Sequence, residues 1–213
     1  MSHGHDHEAV AGGATSPLAA RVRAIEALLV EKGVVTEAEI QDNISHMDSR
    51  STANGARLVA RAWMDEGFKA RLLADGKAAA VELGLDVGAA PDLVVVENTQ
   101  EVHNLIVCTL CSCYPRAVLG RPPDWYKSFE YRSRAVREPR AVMREFGFAP
   151  PEGTRVAVHD STADVRYMVL PMRPPGTDGM GEDELAALVT RDSLIGTGVP
   201  LSPGRVEEPA EKL

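Results

Sequence analysis

The sequence predicts an α+β fold, an N-terminal helical arm followed by a layered α-β-β-α domain. Three observations lead there. Residues 16–86 carry apolar positions at helical spacing between recognisable start and stop signals. Past Gly88-Ala89-Ala90-Pro91 the texture changes to short, β-branched apolar runs separated by turns. All three cysteines of the 213-residue chain fall in one stretch, Val107 to Cys113, reading V-C-T-L-C-S-C, which makes the second region a metal-binding domain. The expected organisation is a disordered tail over residues 1–15, a helical arm over 16–86, an α/β metal-binding domain over 87–198 and a flexible tail over 199–213.

The tail carries His3, His5 and His7 among small polar residues that could not bury a core. The first helix has Ser16 as N-cap and Pro17 at its first position, places Leu18, Val22, Ile25 and Leu29 on one face, and stops at Gly33. Thr36 and Glu39 form a capping box ahead of Ile40, Ile44 and Met47. A third helix runs through Leu58, Val59, Ala62 and Trp63, and a fourth through Phe68, Leu72, Leu73, Ala80 and Leu83 to Gly84. Their apolar stripes are narrow and poor in aromatic bulk, so the arm is expected to pack against something else, either the rest of this chain or a partner.

Strands are expected at Leu93–Val96, Leu105–Val107, Arg155–His159 and Arg166–Leu170. Pro115, Pro122 and Pro123 keep the chain turning after the cysteines. Trp125 to Phe146 is helical in pattern, broken where Glu138 precedes Pro139, and Glu182 to Arg191 is a last helix. No internal repeat is visible.

A formal net charge of −8 argues against nucleic acid and anionic membrane as partners. No apolar run reaches the ~20 residues of a membrane span, and the N-terminus shows no apolar signal core. Three crowded cysteines cannot form a disulfide framework, so a reducing cytoplasm is the expected compartment.

On spacing alone the cysteine loop admits structural zinc, a redox switch or a catalytic transition-metal centre. Structural zinc is usually held by four ligands in a tetrahedron, and only His103 lies near enough in sequence to join Cys108, Cys111 and Cys113. The C-x-C end suits another geometry. If the amides of Ser112 and Cys113 lose their protons, the two nitrogens and the sulfurs of Cys111 and Cys113 close adjacent five- and six-membered chelate rings in one plane. Cys108 then sits on the axis and the sixth position stays open. Such strong donors suit trivalent cobalt or iron and give zinc no advantage.

The loop resembles the metal loop of nitrile hydratase α subunits, and Thr109 resembles the cobalt rather than the iron type. The likeness covers about residues 18–196. It includes Pro122-Pro123-Asp124-Trp125-Tyr126-Lys127-Ser128, Tyr131-Arg132-Ser133-Arg134, Val136-Arg137-Glu138-Pro139-Arg140, Arg166-Tyr167-Met168-Val169-Leu170-Pro171, Gly176-Thr177-Asp178-Gly179 and Leu188-Val189-Thr190-Arg191-Asp192-Ser193. The resemblance implies a hydro-lyase that adds water to a nitrile and gives an amide. It implies Co(3+), with Fe(3+) as the alternative, held by Cys108, Cys111, Ser112 and Cys113. Cys111 would become a sulfinic acid, Cys113 a sulfenic acid, and Cys108 would stay a thiolate. Cys111, Ser112 and Cys113 are then the expected catalytic residues, with the attacking oxygen either a hydroxide or the Cys113 sulfenate. A β-type subunit, in one chain or two, and a metal-loading activator protein are the implied partners.

Three positions depart from the family pattern. Tyr114-Pro115-Arg116-Ala117 stands where the family usually reads Tyr-Pro-Trp-Pro, Met180 replaces a tryptophan, and Ala89 or Ala90 a glutamine. Arg116 is similar to the arginine of thiocyanate hydrolase γ subunits, the rival within the family, and as a substrate-binding residue it favours an anionic or polar substrate, such as a heteroaromatic or nucleoside nitrile. A non-catalytic zinc-binding module is the rival from another class. Arg132, Arg134, Arg137 and Arg140 read as a solvated or interfacial helix face. His159-Asp160-Ser161 reads as a strand end with a capping turn, because three consecutive residues cannot form a hydrolytic triad.

Overall fold

The structure is a computed structural model and describes residues 16–88, 91–111 and 113–204. The expectations for His3, His5, His7, Ala89, Ala90, Ser112 and the last residues of the C-terminal tail fall outside these. The chain divides into two units, Met1–His46 and Met47–Leu213.

In the first unit, helix α1 (Pro17–Glu31) starts as expected, with the Ser16 hydroxyl accepting from Ala19 N–H at 3.2 Å. Gly33 ends it at φ 67°. Helix α2 (Glu37–Asp48) opens with the expected reciprocal cap: Glu39 N–H donates to Thr36 Oγ1 at 3.1 Å, and Thr36 N–H donates to Glu39 Oε2 at 2.8 Å. Neither helix buries a residue, and Leu18 is 71% exposed.

In the second unit, helices α3 (Thr52–Met64), α4 (Glu66–Ala74) and α5 (Gly76–Glu82) lie with the strands, although the sequence grouped them with the arm. Their stripes are narrow because small residues make the contact. Ala56, Leu58, Val59, Ala60 and Ala62 of α3 are buried, and a Cβ on Gly76 would stand 2.6 Å from Leu93 O. The single fourth helix of the sequence reading is two helices, separated at Asp75, which accepts from Ala78 N–H at 2.9 Å and restarts the chain.

Strands β1 (Asp92–Glu97), β2 (Val102–Val107), β3 (Arg155–Asp160) and β4 (Val165–Leu170) form two separate two-stranded parallel sheets. Strand β1 pairs with β4, and β2 with β3, in the register Val107↔Asp160. Helix α6 (Arg116–Leu119) follows the cysteines directly. Then come α7 (Asp124–Lys127), α8 (Phe129–Arg137) and α9 (Pro139–Glu145). The break at Glu138–Pro139 is where the sequence put it. A second lies at Ser128, whose hydroxyl accepts from Tyr131 N–H at 3.1 Å and caps α8. The last predicted helix stops early, as α10 (Glu182–Ala187), and a further helix, α11 (Arg191–Ile195), begins where it was expected to end, started by a Thr190 cap and ended by Gly196 at φ 91°.

A buried polar network ties these ends together. His103 Nε2 lies 2.8 Å from the Gly196 carbonyl, so it carries the proton, and its Nδ1 faces Asn98 Nδ2 at 3.3 Å as acceptor. Asn98 Oδ1 accepts from Asn104 N–H at 2.7 Å, and His159 Nε2 donates to Asn104 Oδ1 at 2.8 Å. Burial holds His103 below its ordinary value of 6.5, and burial does the same to His159. Between the folded and unfolded values the unfolded chain binds more protons, so stability falls as pH drops below 6.5. Melting temperature should therefore decline between pH 7.5 and 5.5, both chosen to span about a unit either side of that value. The His103→Gln variant should show a flatter dependence; equal slopes would refute the assignment.

Candidate metal centre

Strand β2 delivers Cys108 at its buried end, and the chain then turns so that Cys111 and Cys113 face it. Cys108 Sγ and Cys111 Sγ are 3.4 Å apart, Cys111 Sγ and Cys113 Sγ 3.1 Å, and all three sulfurs lie within 4.8 Å of one another. Sulfurs at about 2.3 Å from one ion sit ~3.3 Å apart at right angles and ~3.8 Å apart at the tetrahedral angle. The two observed edges match right angles, and three thiols converging this way suit a single ion. His103, the fourth ligand a zinc reading needs, is committed through both ring nitrogens to Asn98 and Gly196 and is not in the cluster. Ser112 lies outside the described residues.

Three residues from other elements fix the loop. Asp160, at the end of β3, accepts from Thr109 N–H at 2.9 Å and from Thr109 Oγ1 at 2.5 Å. Arg132 of α8 donates from Nη1 to the Cys111 carbonyl at 2.8 Å. Tyr126 of α7 donates to the Cys113 carbonyl at 3.0 Å. Behind them stands an aromatic wall: Tyr114–Tyr126 and Trp125–Tyr131 centroids are 4.9 Å apart and Trp125–Phe146 4.6 Å. Half of the chain's Phe, Trp and Tyr residues are in this wall, so its bulk is spent on holding the loop. Burial raises the Tyr126 and Tyr131 phenols well above their usual range, which keeps both as donors.

The sequence missed these braces. Asp160 was dismissed with the false triad, and Arg132 was read as part of a solvated face. The register Val107↔Asp160 is the signal that would have found Asp160, and it is visible only once the strands pair. Asp160→Ala should speed metal loss to a chelator by about 10- to 100-fold, the range for removing an outer-sphere brace. Unchanged release kinetics would show that Thr109 holds itself.

Cys108 is buried, Cys113 half-buried and Cys111 exposed. Burial, the Cys111 hydrogen bond and the Cys108 charge push the Cys113 thiol up to about 12, while the Arg166 guanidinium pulls the other way. Metal-free Cys113 thus keeps its proton at neutral pH, and an incoming ion must displace it. Cys111 and Cys113 open into a cavity of about 540 Å³ that Arg116 also lines. Arg116, the sequence candidate for substrate contact, is therefore brought to the same cavity as two of the sulfurs.

The family described as "Nitrile hydratase, alpha chain" matches residues 16–198. The chain belongs to this family. Among its relatives, the low-molecular-weight cobalt-containing nitrile hydratase subunit α of Rhodococcus rhodochrous is 51% identical over 193 residues, covering 88% of this chain and 91% of the relative. The thiocyanate hydrolase subunit γ of Thiobacillus thioparus is 40% identical over 192 residues, covering 85% and 79%. A solved double mutant of the Fe-type nitrile hydratase from Comamonas testosteroni Ni1 superimposes with a TM-score of 0.80 at 44% identity, covering 93% of this chain and 98% of that one. The α+β class expected from sequence is thus the fold of the family. Cobalt and iron members both stand among its relatives.

Proposed function

We propose that this chain is the metal-bearing catalytic α-type subunit of a cobalt nitrile hydratase acting on a polar or heteroaromatic nitrile, nucleoside nitriles included. The observation that carries it is the right-angled sulfur cluster of Cys108, Cys111 and Cys113 opening into a cavity beside Arg116. The reaction adds water across C≡N: the carbon gains the oxygen, the nitrogen gains the protons, and an amide results. When bound, the trivalent ion supplies Lewis acidity toward the nitrile. Cys108, Cys111, Cys113 and the Ser112 amide hold it, and Thr109 together with the cobalt-containing relatives favours cobalt over iron.

The order of exposure supports the expected oxidations. Cys111, the most exposed, takes the sulfinic state, half-buried Cys113 the sulfenic state, and buried Cys108 stays a thiolate. Arg132 and Tyr126 hold the carbonyls of Cys111 and Cys113 by hydrogen bonds and so restrain the loop that would carry the ion. The partner is a β-type subunit. The relatives are themselves named as subunits, and the exposed stripe Leu18, Val22 and Ile25 of α1 offers a docking face. A cytoplasmic location belongs to this reading because three cysteines crowded into six residues cannot form a disulfide framework.

Arg116 favours a second reading, the γ-type subunit of a thiocyanate hydrolase. Turnover of acrylonitrile, a cyano-nucleoside and thiocyanate by the cobalt-loaded complex separates the two; exclusive thiocyanate turnover overturns the nitrile reading. Metal analysis with intact mass tests the centre itself: stoichiometric cobalt and an oxidised loop peptide are expected. Stoichiometric zinc with unoxidised cysteines would instead mark a non-catalytic module.

A further inference from the structure

The cavity at the cysteines runs against the charge of the chain. The molecule carries 31 acidic against 23 basic Lys and Arg side chains, yet Arg50, Lys77, Arg116 and Arg166 all line this cavity and no Asp or Glu does, among the described residues. These four come from separate parts of the fold: the segment before α3, α5, the start of α6, and β4. Arg166 acts electrostatically on the Cys113 sulfur. Arg116 and Arg166 form no ion pair among the described residues, Arg166 donating only to the Val165 carbonyl at 3.4 Å. Arg116 and Arg166, two guanidiniums without an ion pair on one concave wall, repel one another and concentrate a positive field, which an anionic guest relieves.

Size narrows the guest. At about 540 Å³ the cavity falls in the range of small-molecule sites, and a three-atom anion would leave most of it to water. Its remaining wall is apolar, with Val87, Leu93 and Val118 contributing, so it suits a body larger than a bare inorganic ion.

We infer that the substrate is a nitrile carrying its own anionic group, a carboxylate or a phosphate, whose charge is held by the Arg116 side of this cavity while the C≡N group faces the cysteines. The inference rests on the nitrile-hydrating function proposed above and narrows its substrate class. A planar guanidinium offers paired donors to either anion, which an ammonium does not.

The test uses the cobalt-loaded complex and three matched nitriles: 4-cyanobenzoate, its neutral methyl ester, and 4-cyanobenzyl phosphate. The expected result is a kcat/KM for at least one anion about tenfold above that of the ester, the scale of one charge-assisted hydrogen bond. The advantage should shrink as salt is raised. The two anions distinguish a carboxylate guest from a phosphate guest. In Arg116→Gln the anion-to-ester ratio should fall toward one, and Arg116→Lys should restore part of it. Calorimetry supplies a readout apart from turnover, since 4-cyanobenzoate should bind more tightly than the ester to the parent complex and no more tightly to Arg116→Gln. An ester used as well as both anions, or a ratio indifferent to Arg116, overturns this inference alone. Turnover of no nitrile, neutral or charged, overturns the nitrile reading and this inference with it.

Discussion

Cys108→Ala is expected to empty the centre and lower turnover by about a thousandfold or more. Thiolate-held zinc sites in small domains draw on roughly 10–16 kcal/mol of binding free energy, and on that scale one of three sulfurs carries several kcal/mol. Each 1.4 kcal/mol is about a factor of ten. Cys108 is fully buried and accepts the Cys111 N–H at 3.3 Å, so its loss also frees the turn that brings Cys111 round. Elemental analysis of the purified variant reads metal content, and circular dichroism checks that the fold survives. Full cobalt occupancy with normal turnover would sink the assignment of Cys108 as a ligand.

The second large effect lies away from the metal. Gly196→Ala should destabilise the protein by about 3–5 kcal/mol, the range reached when a substitution meets backbone with no room to yield. A Cβ there would fall 1.9 Å from the Asn104 carbonyl oxygen, at a backbone φ of 91° that already disfavours a side chain. Relief requires moving the end of α11 from β2, which breaks the bond between His103 and the Gly196 carbonyl. For a chain of this size the melting temperature should drop by about 10 °C. Gly33→Ala is the control, because Gly33 has φ 67° but nothing within 4 Å of its would-be Cβ. It should cost about 1 kcal/mol, the strain of the left-handed backbone alone. Equal losses at the two sites would mean that the close approach at Gly196 carries no weight.

Local signals in the sequence were legible where the physics is local. The Ser16 cap, the Thr36–Glu39 box and the Glu138–Pro139 break each depend on residues within four positions, and each stands in the structure. The metal loop was legible for the same reason, since three sulfurs within six residues converge whatever surrounds them. The β-branched cores of the strands were visible as well. Val102-His103-Asn104, the polar start of β2, was not, because its side chains are satisfied by Asn98, Gly196 and His159 from distant segments. Strand pairing was hidden too, and with it Asp160. Helices α3 to α5 pack on the rest of the chain, one of the two outcomes their sequence leaves open, with Leu58, Phe68 and Leu72 buried beside Ala56, Ala60 and Ala80.

The parallel pairing of β2 with β3 has a consequence for biogenesis. Residues 102–107 are made well before residues 155–160, at a synthesis rate of about 5–20 residues per second. The cysteine loop thus leaves the ribosome seconds ahead of Asp160, and both sheets need long loop closures before either can form. During that interval the three thiols sit on an unbraced segment, open to zinc or to random oxidation. The brace that Asp160 gives the cysteine loop is therefore in place only once the chain's second half has been made and folded.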